Sequence, residues 1–121
     1  MKKFRVLLVD DYEPWRRFVR SKLQKETELE VVGESGDGLQ AIQQAQQLRP
    51  DLILLDLGLP TINGIETARR LRRLLPQSQI LFLSQESSPD VVREALNTGA
   101  RGYVIKQRAN DLLRAVTAAL I

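Results

Sequence analysis

Five polar residues, each at the end of an apolar run, have the chemistry to form one site: Asp10, Asp11, Asp56, Ser84 and Lys106. The runs are Val6-Leu7-Leu8-Val9, Leu52-Ile53-Leu54-Leu55, Ile80-Leu81-Phe82-Leu83 and Tyr103-Val104-Ile105. Such runs are typical of buried strands in a parallel sheet, and open α/β sheets bind ligands beyond the carboxyl ends of their strands. Three carboxylates, a hydroxyl and an ammonium at that edge suit a hard cation and a phosphoryl group.

The three carboxylates predict a divalent metal ion. In a right-handed doubly wound sheet the strand order reverses between strands one and three, which places Asp56 beside Asp10 and Asp11. Neighbouring carboxylates without a counter-charge repel and raise one another's pKa values, so the cluster implies a partner cation. Because the ligands are oxygens and the chain has no His or Cys, Mg²⁺ or Mn²⁺ is favoured over zinc.

Ser84 and Lys106 extend the prediction from a metal to a phosphoryl group. A hydroxyl can donate to a phosphate oxygen, and an ammonium can pair with it as a point charge. With a carboxylate nucleophile and a metal, these groups suffice to take up a phosphoryl group and stabilise an acyl phosphate. Each residue taken singly has an ordinary explanation, as a helix cap, a turn residue, a loop hydroxyl or a surface lysine. Their coincidence favours the site.

Composition limits the alternatives. A chain of 121 residues with 43% apolar and 27% charged residues is ordinary for one soluble globular domain. No apolar run approaches the ~20 residues of a membrane span, and no signal peptide opens the chain. The lack of Cys fits the cytoplasm, which is the predicted location. Without His or Cys, the common catalytic triads, ordinary zinc sites and a phosphohistidine are excluded.

The basic residues raise the question of nucleic-acid binding, since the net charge is +3 and the pI is about 9.6. They concentrate in segments 16–22 and 69–73. No zinc finger or helix-turn-helix accompanies them, so two solvated helix faces are favoured and specific nucleic-acid binding is not expected. Any DNA contact should be weak and salt-sensitive. It would come from Arg69, Arg70, Arg72 and Arg73 at most.

Strand and helix patterns alternate along the chain without a linker or repeat. Strands are predicted at about 4–9, 29–32, 52–55, 80–83 and 102–105, and helices at about 13–25, 39–48, 64–75, from Ser88 and from Asn110. Pro14 and Pro89 fit first helical turns, Ser88 an N-cap and Gly99 a left-handed helix end. The alternating second strand suggests a sheet edge. Five such units predict an α/β fold with a parallel sheet covered on both faces.

Over essentially its whole length the chain resembles the receiver domain of bacterial two-component response regulators. The stretches that carry the resemblance are Val6–Asp11, Pro50–Pro60, Asn63-Gly64 and Gly99–Lys106. Val32-Gly33-Glu34 and Gly99–Tyr103 are most similar to receivers attached to LuxR-type helix-turn-helix output domains. The resemblance implies a doubly wound, flavodoxin-like five-stranded sheet of order 2-1-3-4-5. It also implies a receiver domain over 1–121, with any output domain beyond this chain.

Carried over by position, the resemblance implies a role for each site residue. Asp56 would be the phosphoacceptor, and Lys106 would be the lysine that pairs with the phosphate. Mg²⁺ would be bound by Asp10, Asp11, Asp56 and the backbone carbonyl of Gly58. Ser84 and Tyr103 would be the switch residues. The residue pattern alone agrees for every side chain except Tyr103, which it interprets as an edge-strand aromatic that packs. Two residues depart from the family pattern. Gln85 stands where a small residue is usual, and Gln107 stands where many receivers have Pro after a cis bond.

The resemblance also implies partners. A histidine kinase would donate the phosphoryl group, and the face of the fourth helix, fifth strand and fifth helix would switch. The chain would assist only its own phosphorylation and hydrolysis and turn over no separate substrate, so it is not expected to be an enzyme in the usual sense. Because residues 118–121 form an apolar helical run without a capping residue, we expect the chain to continue into a DNA-binding domain. A protein partner and a homodimer remain alternatives.

Three other functions stay open at this point. An Asp-nucleophile phosphohydrolase would usually carry a second acid two residues after the nucleophile, where this chain has Gly58. A small dinucleotide-binding domain would carry a Gly-rich turn after the first strand, where this chain has Asp10 and Asp11. A degenerate receiver that signals by protein contact alone would lack part of the five-residue set, which is intact here.

Overall fold

The computed structural model describes residues 3–121, in which five strands alternate with five α-helices. The elements are β1 (Phe4–Val9), α1 (Glu13–Gln24), β2 (Leu29–Ser35), α2 (Gly38–Leu48), β3 (Leu52–Leu55), α3 (Gly64–Leu74), β4 (Gln79–Ser84), α4 (Pro89–Leu96), β5 (Gly102–Ile105) and α5 (Leu112–Leu120), with a 3₁₀ helix at Lys106–Asp111 before α5. Every predicted strand and helix is present in the predicted order. None of the helices in residues 3–121 is long and apolar enough to cross a membrane.

All five strands are parallel and lie in the order β2-β1-β3-β4-β5, which confirms the predicted topology. The register aligns the strand ends. Val9 pairs with Leu55, so the residues that follow β1 and β3 emerge side by side. Ser84 pairs with Ile105, so the last residue of β4 lies beside the end of β5. The sheet therefore brings residues from four separate segments to one edge.

Two apolar layers hold the sheet. Leu7, Ile53 and Phe82 point to the layer formed with α2, α3 and α4, and alternate residues such as Leu8 and Leu54 point to the layer formed with α1 and α5. These side chains are almost completely buried. Because successive strand residues face opposite sides, only strands that are apolar throughout can fill both layers. This requirement explains the uninterrupted apolar runs.

Most element boundaries lie within one residue of the predictions, and those of β2 and α5 differ by more. β2 continues to Ser35, because its register with β1 shifts between Val31 and Gly33 and pairing then resumes. β4 includes Ser84. α5 begins only at Leu112, since the 3₁₀ helix, with non-helical angles at Arg108, precedes it.

Several local predictions have clear outcomes. Pro14 and Pro89 lie in the first turns of α1 and α4. Ser88 is the N-cap of α4, but its side chain makes no capping hydrogen bond. Gly99 has φ of 98°, the left-handed conformation in which a side chain is strained, as expected. Among residues 3–121 all peptide bonds are trans, including the one between Lys106 and Gln107.

Candidate functional site

The fold brings all five predicted residues to the carboxyl edge of the sheet. Asp10, Asp56 and Lys106 directly follow β1, β3 and β5, Asp11 follows Asp10, and Ser84 ends β4. Together with Gly58 they line an open cleft of about 550 Å³. The remaining lining residues are Tyr12, Leu57, Asn63, Ile65, Gln85, Glu86 and Val91.

Backbone contacts fix where the carboxylates emerge. The N–H of Asp56 donates to the carbonyl of Val9 at 3.0 Å, so the hydrogen bonding between β1 and β3 extends one residue past the end of β3. The N–H of Gly64 donates to the carbonyl of Leu57 at 2.7 Å, which sets the first turn of α3 against the segment after Asp56. A Cβ on Gly64 would lie 2.1 Å from the carbonyl oxygen of Asp56. Only glycine allows this close approach, which places Asp56 at the floor of the cleft.

The acidic cluster fits a hard divalent cation. One carboxylate oxygen from each of Asp10, Asp11 and Asp56 lies within 4.8 Å of the others. Asp10 and Asp56 are buried, whereas Asp11 is exposed at the mouth of the cleft. A compact set of oxygen donors with one side open to solvent suits Mg²⁺, which commonly keeps several waters.

Lys106 partly neutralises this cluster. Its Nζ lies 2.6 Å from Oδ2 of Asp10 and 3.7 Å from Oδ2 of Asp56, and its side chain is 12% exposed. The other oxygen of Asp10 accepts a hydrogen bond from the N–H of Tyr12 at 2.9 Å. Both oxygens of Asp10 therefore have partners, and a single ammonium faces both buried carboxylates.

The pKa of Asp56 is raised above the ordinary value of an aspartate. Burial of its carboxyl group is the main cause, and the negative charge of Asp10 is the second. The Lys106 ammonium, the Ser84 hydroxyl and the Leu57 N–H act in the opposite direction without cancelling the rise. The folded chain thus disfavours the charged form of Asp56, and a cation beside it would favour that form.

Tyr103 has a specific polar partner that its sequence position does not reveal. Its hydroxyl donates to the backbone carbonyl of Glu86 at 2.6 Å, and its ring lies 5.9 Å from that of Phe82. Burial raises the pKa of Tyr103, and the negative charges of Glu86 and Asp56 add to this rise. The hydroxyl of Ser84 acts in the opposite direction. The half-buried tyrosine therefore packs, as the residue pattern predicts, and also links β5 to the segment after Ser84. The signal for this link is the hydroxyl itself, because a buried tyrosine O–H usually finds a partner.

Helix α1 contributes two residues beside the site that the sequence pattern does not single out. Arg16 donates from Nη1 to the carbonyl of Asp10 at 2.5 Å and from Nε to Glu34 at 3.0 Å. Glu34 also pairs with Arg20, which ties α1 to β2. The ring of Trp15 lies beneath the Lys106 ammonium, with 5.1 Å between Nζ and the ring centroid.

The basic segment on α3 has local partners. Glu66 pairs with Arg69 at 3.8 Å and with Arg70 at 2.9 Å. Arg72 donates to the backbone carbonyls of Pro76 and Ser78. These contacts are those of a solvated helix face.

Comparisons with known proteins identify one family. The family profile described as response regulator receiver domain matches residues 6–118. The response regulator protein VraR of Staphylococcus aureus is 38% identical over 113 residues, covering 93% of this chain and 54% of VraR. The chain spans about half the length of the curated relatives that it matches.

Solved structures of response regulators have the same fold. A two-component response regulator of the LuxR family from Aurantimonas superposes with a TM-score of 0.93 at 30% identity, covering 98% of this chain and 86% of the other. The isolated REC domain of RcsB from Salmonella enterica serovar Typhimurium, in the presence of the phosphomimetic BeF3−, gives 0.91 at 26% identity. That superposition covers 98% of this chain and 88% of the REC domain.

Proposed function

Because the chain belongs to the receiver domain family of two-component response regulators, we propose that it accepts a phosphoryl group on Asp56 and thereby changes the surface formed by α4, β5 and α5. One observation carries the assignment of the acceptor. The Asp56 carboxylate lies at the floor of an open cleft, beside an acidic pair and within 3.7 Å of the Lys106 ammonium. Family membership favours this function over the phosphohydrolase and dinucleotide-binding alternatives.

In the proposed reaction, a carboxylate oxygen of Asp56 attacks the phosphorus of the donor. A P–O bond forms to Asp56, and the bond from phosphorus to the donor's leaving group breaks. Lys106 pairs with the oxygens of the transferred group, and the Ser84 hydroxyl donates to one of them. Asp10, Asp11, Asp56 and the Gly58 carbonyl would hold Mg²⁺. Bound there, Mg²⁺ would offset the negative charge of the donor and the acceptor.

The change of surface would run through Ser84 and Tyr103. Drawing the Ser84 hydroxyl towards a phosphoryl group moves the end of β4 and the segment that follows it. The Tyr103 hydroxyl already bonds to Glu86 in that segment. A shift there would therefore move the Tyr103 side chain relative to α4, and this local repacking would change the surface.

The proposed partners follow from the family and from the composition. The chain has no His, so we propose that a histidine kinase supplies the phosphoryl group, and that the chain acts in the cytoplasm. As in LuxR-type regulators, residues 1–121 would form the receiver domain, and a DNA-binding domain or a protein partner would carry the output. The receiver would bind DNA only weakly and would turn over no separate substrate. It would pair with a second copy if the surface formed by α4, β5 and α5 is self-complementary.

The proposed function is tested by incubating the chain with Mg²⁺ and acetyl phosphate and measuring its intact mass. We expect a single phosphoryl adduct in the presence of Mg²⁺. No adduct should form when a chelator replaces Mg²⁺ from the start of the incubation. A degenerate receiver would show no adduct under either condition, and that result would overturn the proposal.

Neutralising Asp11 tests the metal site. We expect Asp11→Asn to raise the melting temperature of the metal-free protein, because one of three crowded negative charges is removed. The same change should reduce the rise in melting temperature that Mg²⁺ produces, since stabilisation by a ligand follows its affinity for the folded state. Thermal denaturation with and without Mg²⁺ measures both effects. An equal Mg²⁺ response in wild type and variant would contradict a metal role for Asp11.

Gln85 is expected to limit access of small donors. Its side chain is exposed and lines the cleft beside Ser84. We expect Gln85→Ala to speed phosphorylation by acetyl phosphate about threefold, roughly 0.7 kcal/mol at the transition state. Gln107→Ala is the matched control, because Gln107 is an exposed glutamine after Lys106 that does not line the cleft. Equal rates for wild type and Gln85→Ala would show that the side chain does not obstruct the donor.

A further inference from the structure

We propose that Trp15 is a positioning residue for Lys106, whose ammonium the indole face holds above the acidic cluster. This inference rests on the proposed function, because it concerns the lysine that would pair with the phosphoryl group. It assigns a task in the reaction to α1, a helix that contributes no residue to the lining of the cleft.

The ammonium of Lys106 lies between the ring and the carboxylates. Its Nζ is 5.1 Å from the centroid of Trp15, within the ~6 Å over which a cation is attracted to an aromatic face. On its other side Nζ lies 2.6 Å from Asp10 and 3.7 Å from Asp56. A lysine stem is flexible and its charge has no preferred direction, so neighbours on both sides are needed to hold one position.

The orientation of the Trp15 ring is not set by a hydrogen bond. Its Nε1 is buried and has no acceptor among residues 3–121, although a buried indole N–H usually finds one. The ring instead presents its face to Lys106 and packs against Phe18, with 5.0 Å between the ring centroids. The start of α1 is itself fixed to the site, because Arg16 donates to the carbonyl of Asp10.

The contact with Trp15 matters most when Asp10 is engaged by another cation. A divalent ion held by Asp10 would compete with the ammonium for the same carboxylate, and like charges repel. The aromatic face is uncharged and remains available, so it can keep the ammonium beside Asp56 after its pairing with Asp10 is weakened. Loss of Trp15 should therefore slow phosphorylation and leave the affinity for Mg²⁺ nearly unchanged.

Aromatic and non-aromatic replacements of Trp15 separate this role from simple packing. In Trp15→Leu and Trp15→Met we expect the initial rate of phosphorylation by acetyl phosphate to fall about threefold to tenfold, as loss of a cation–aromatic contact predicts. Trp15→Phe should keep most of the rate. Phe4→Leu is the control for loss of an aromatic ring, because Phe4 begins β1, at the opposite end of that strand from Asp10. Its rate should stay close to that of the wild type.

Two further readouts would not respond to a merely structural role. In a Lys106→Met background, adding Trp15→Leu should cause no further loss of rate, because the residue through which Trp15 acts is gone. In the NMR spectrum of the metal-free wild type, the Lys106 Cε protons should be shifted upfield by the ring current, and Trp15→Leu should abolish that shift. The NMR readout requires no phosphorylation.

The outcomes distinguish this inference from the proposed function. A wild type that takes up no phosphate contradicts the proposed function. A phosphorylated wild type whose rate is unchanged in Trp15→Leu and Trp15→Met overturns the role of Trp15 alone. The same conclusion follows if the upfield shift is absent, or if Trp15→Leu slows the Lys106→Met protein as much as it slows the wild type.

Discussion

Replacing Asp56 by Asn is expected to abolish phosphorylation, lowering its rate by at least about 100-fold, as loss of a nucleophile does. The same variant should melt at a higher temperature than the wild type in the absence of metal. Burial and the charge of Asp10 raise the pKa of Asp56 in the folded chain. Above that pKa the folded protein carries a charge that it disfavours, and the neutral amide removes this cost.

The pH dependence follows from the direction of the shift. A group whose pKa is raised on folding contributes its stabilisation below its unfolded pKa and loses it as the pH rises through the folded pKa. The advantage of Asp56→Asn in melting temperature should therefore grow as the pH rises through the folded pKa of Asp56. It should shrink as the pH falls towards the ordinary value of 3.8.

Asp37→Asn is a matched control for this variant. Asp37 lies just beyond the end of β2, and its side chain caps α2 by accepting from the N–H of Gln40 at 2.7 Å. Asn caps a helix about as well as Asp, so phosphorylation should change by less than about twofold. An adduct that persists in Asp56→Asn would contradict the role of Asp56 as phosphoacceptor. A lower melting temperature of that variant would contradict the raised pKa of Asp56.

Replacing Lys106 by Met is expected to have the second largest effect. The rate of phosphorylation should fall about 10²- to 10³-fold, the usual cost of losing one preorganised group that stabilises transition-state charge. Without metal, the free energy of unfolding should fall by about 2–3 kcal/mol, because two buried carboxylates lose their counter-charge. Mg²⁺ should recover much of this loss, since it no longer competes with the ammonium for Asp10. Urea denaturation with and without Mg²⁺ measures these changes.

Lys22→Met controls for removal of a lysine near an aromatic ring. Lys22 lies over Phe18 at 5.2 Å and, unlike Lys106, has no carboxylate within salt-bridge distance among the described residues. The free energy of unfolding and the phosphorylation rate of Lys22→Met should stay near those of the wild type. If Lys106→Met were as stable as the wild type without metal, the ammonium would not be the counter-charge of the cluster.

The fold could be predicted from the sequence because its constraints are local and strong. Runs such as Leu52–Leu55 are apolar at every position, and only a strand covered on both faces requires this pattern. Once the sheet is parallel and right-handed, the register brings Asp10 and Asp56 side by side. The positions of the acidic cluster, Ser84 and Lys106 then follow with little freedom.

The contacts that the sequence did not reveal depend on side-chain orientation between distant segments. Trp15 has the spacing of a core residue on α1, and nothing near it in sequence indicates that Lys106 lies over its ring. Tyr103 likewise finds its acceptor at Glu86, on a different segment. The sequence also did not reveal the late start of α5 at Leu112, since 3₁₀ turns are frequent at the ends of α-helices and no residue type here marks the change.

The position of the phosphoryl group can be determined directly by chemical trapping. Borohydride reduces the acyl phosphate of an aspartate to homoserine, which mass spectrometry of the digested protein locates in the sequence. After incubation with Mg²⁺ and acetyl phosphate, we expect homoserine at position 56 alone, in place of Asp56. Homoserine at Asp10, Asp11 or any other acid, or a phosphorylated protein in which position 56 remains aspartate, would contradict the proposed acceptor.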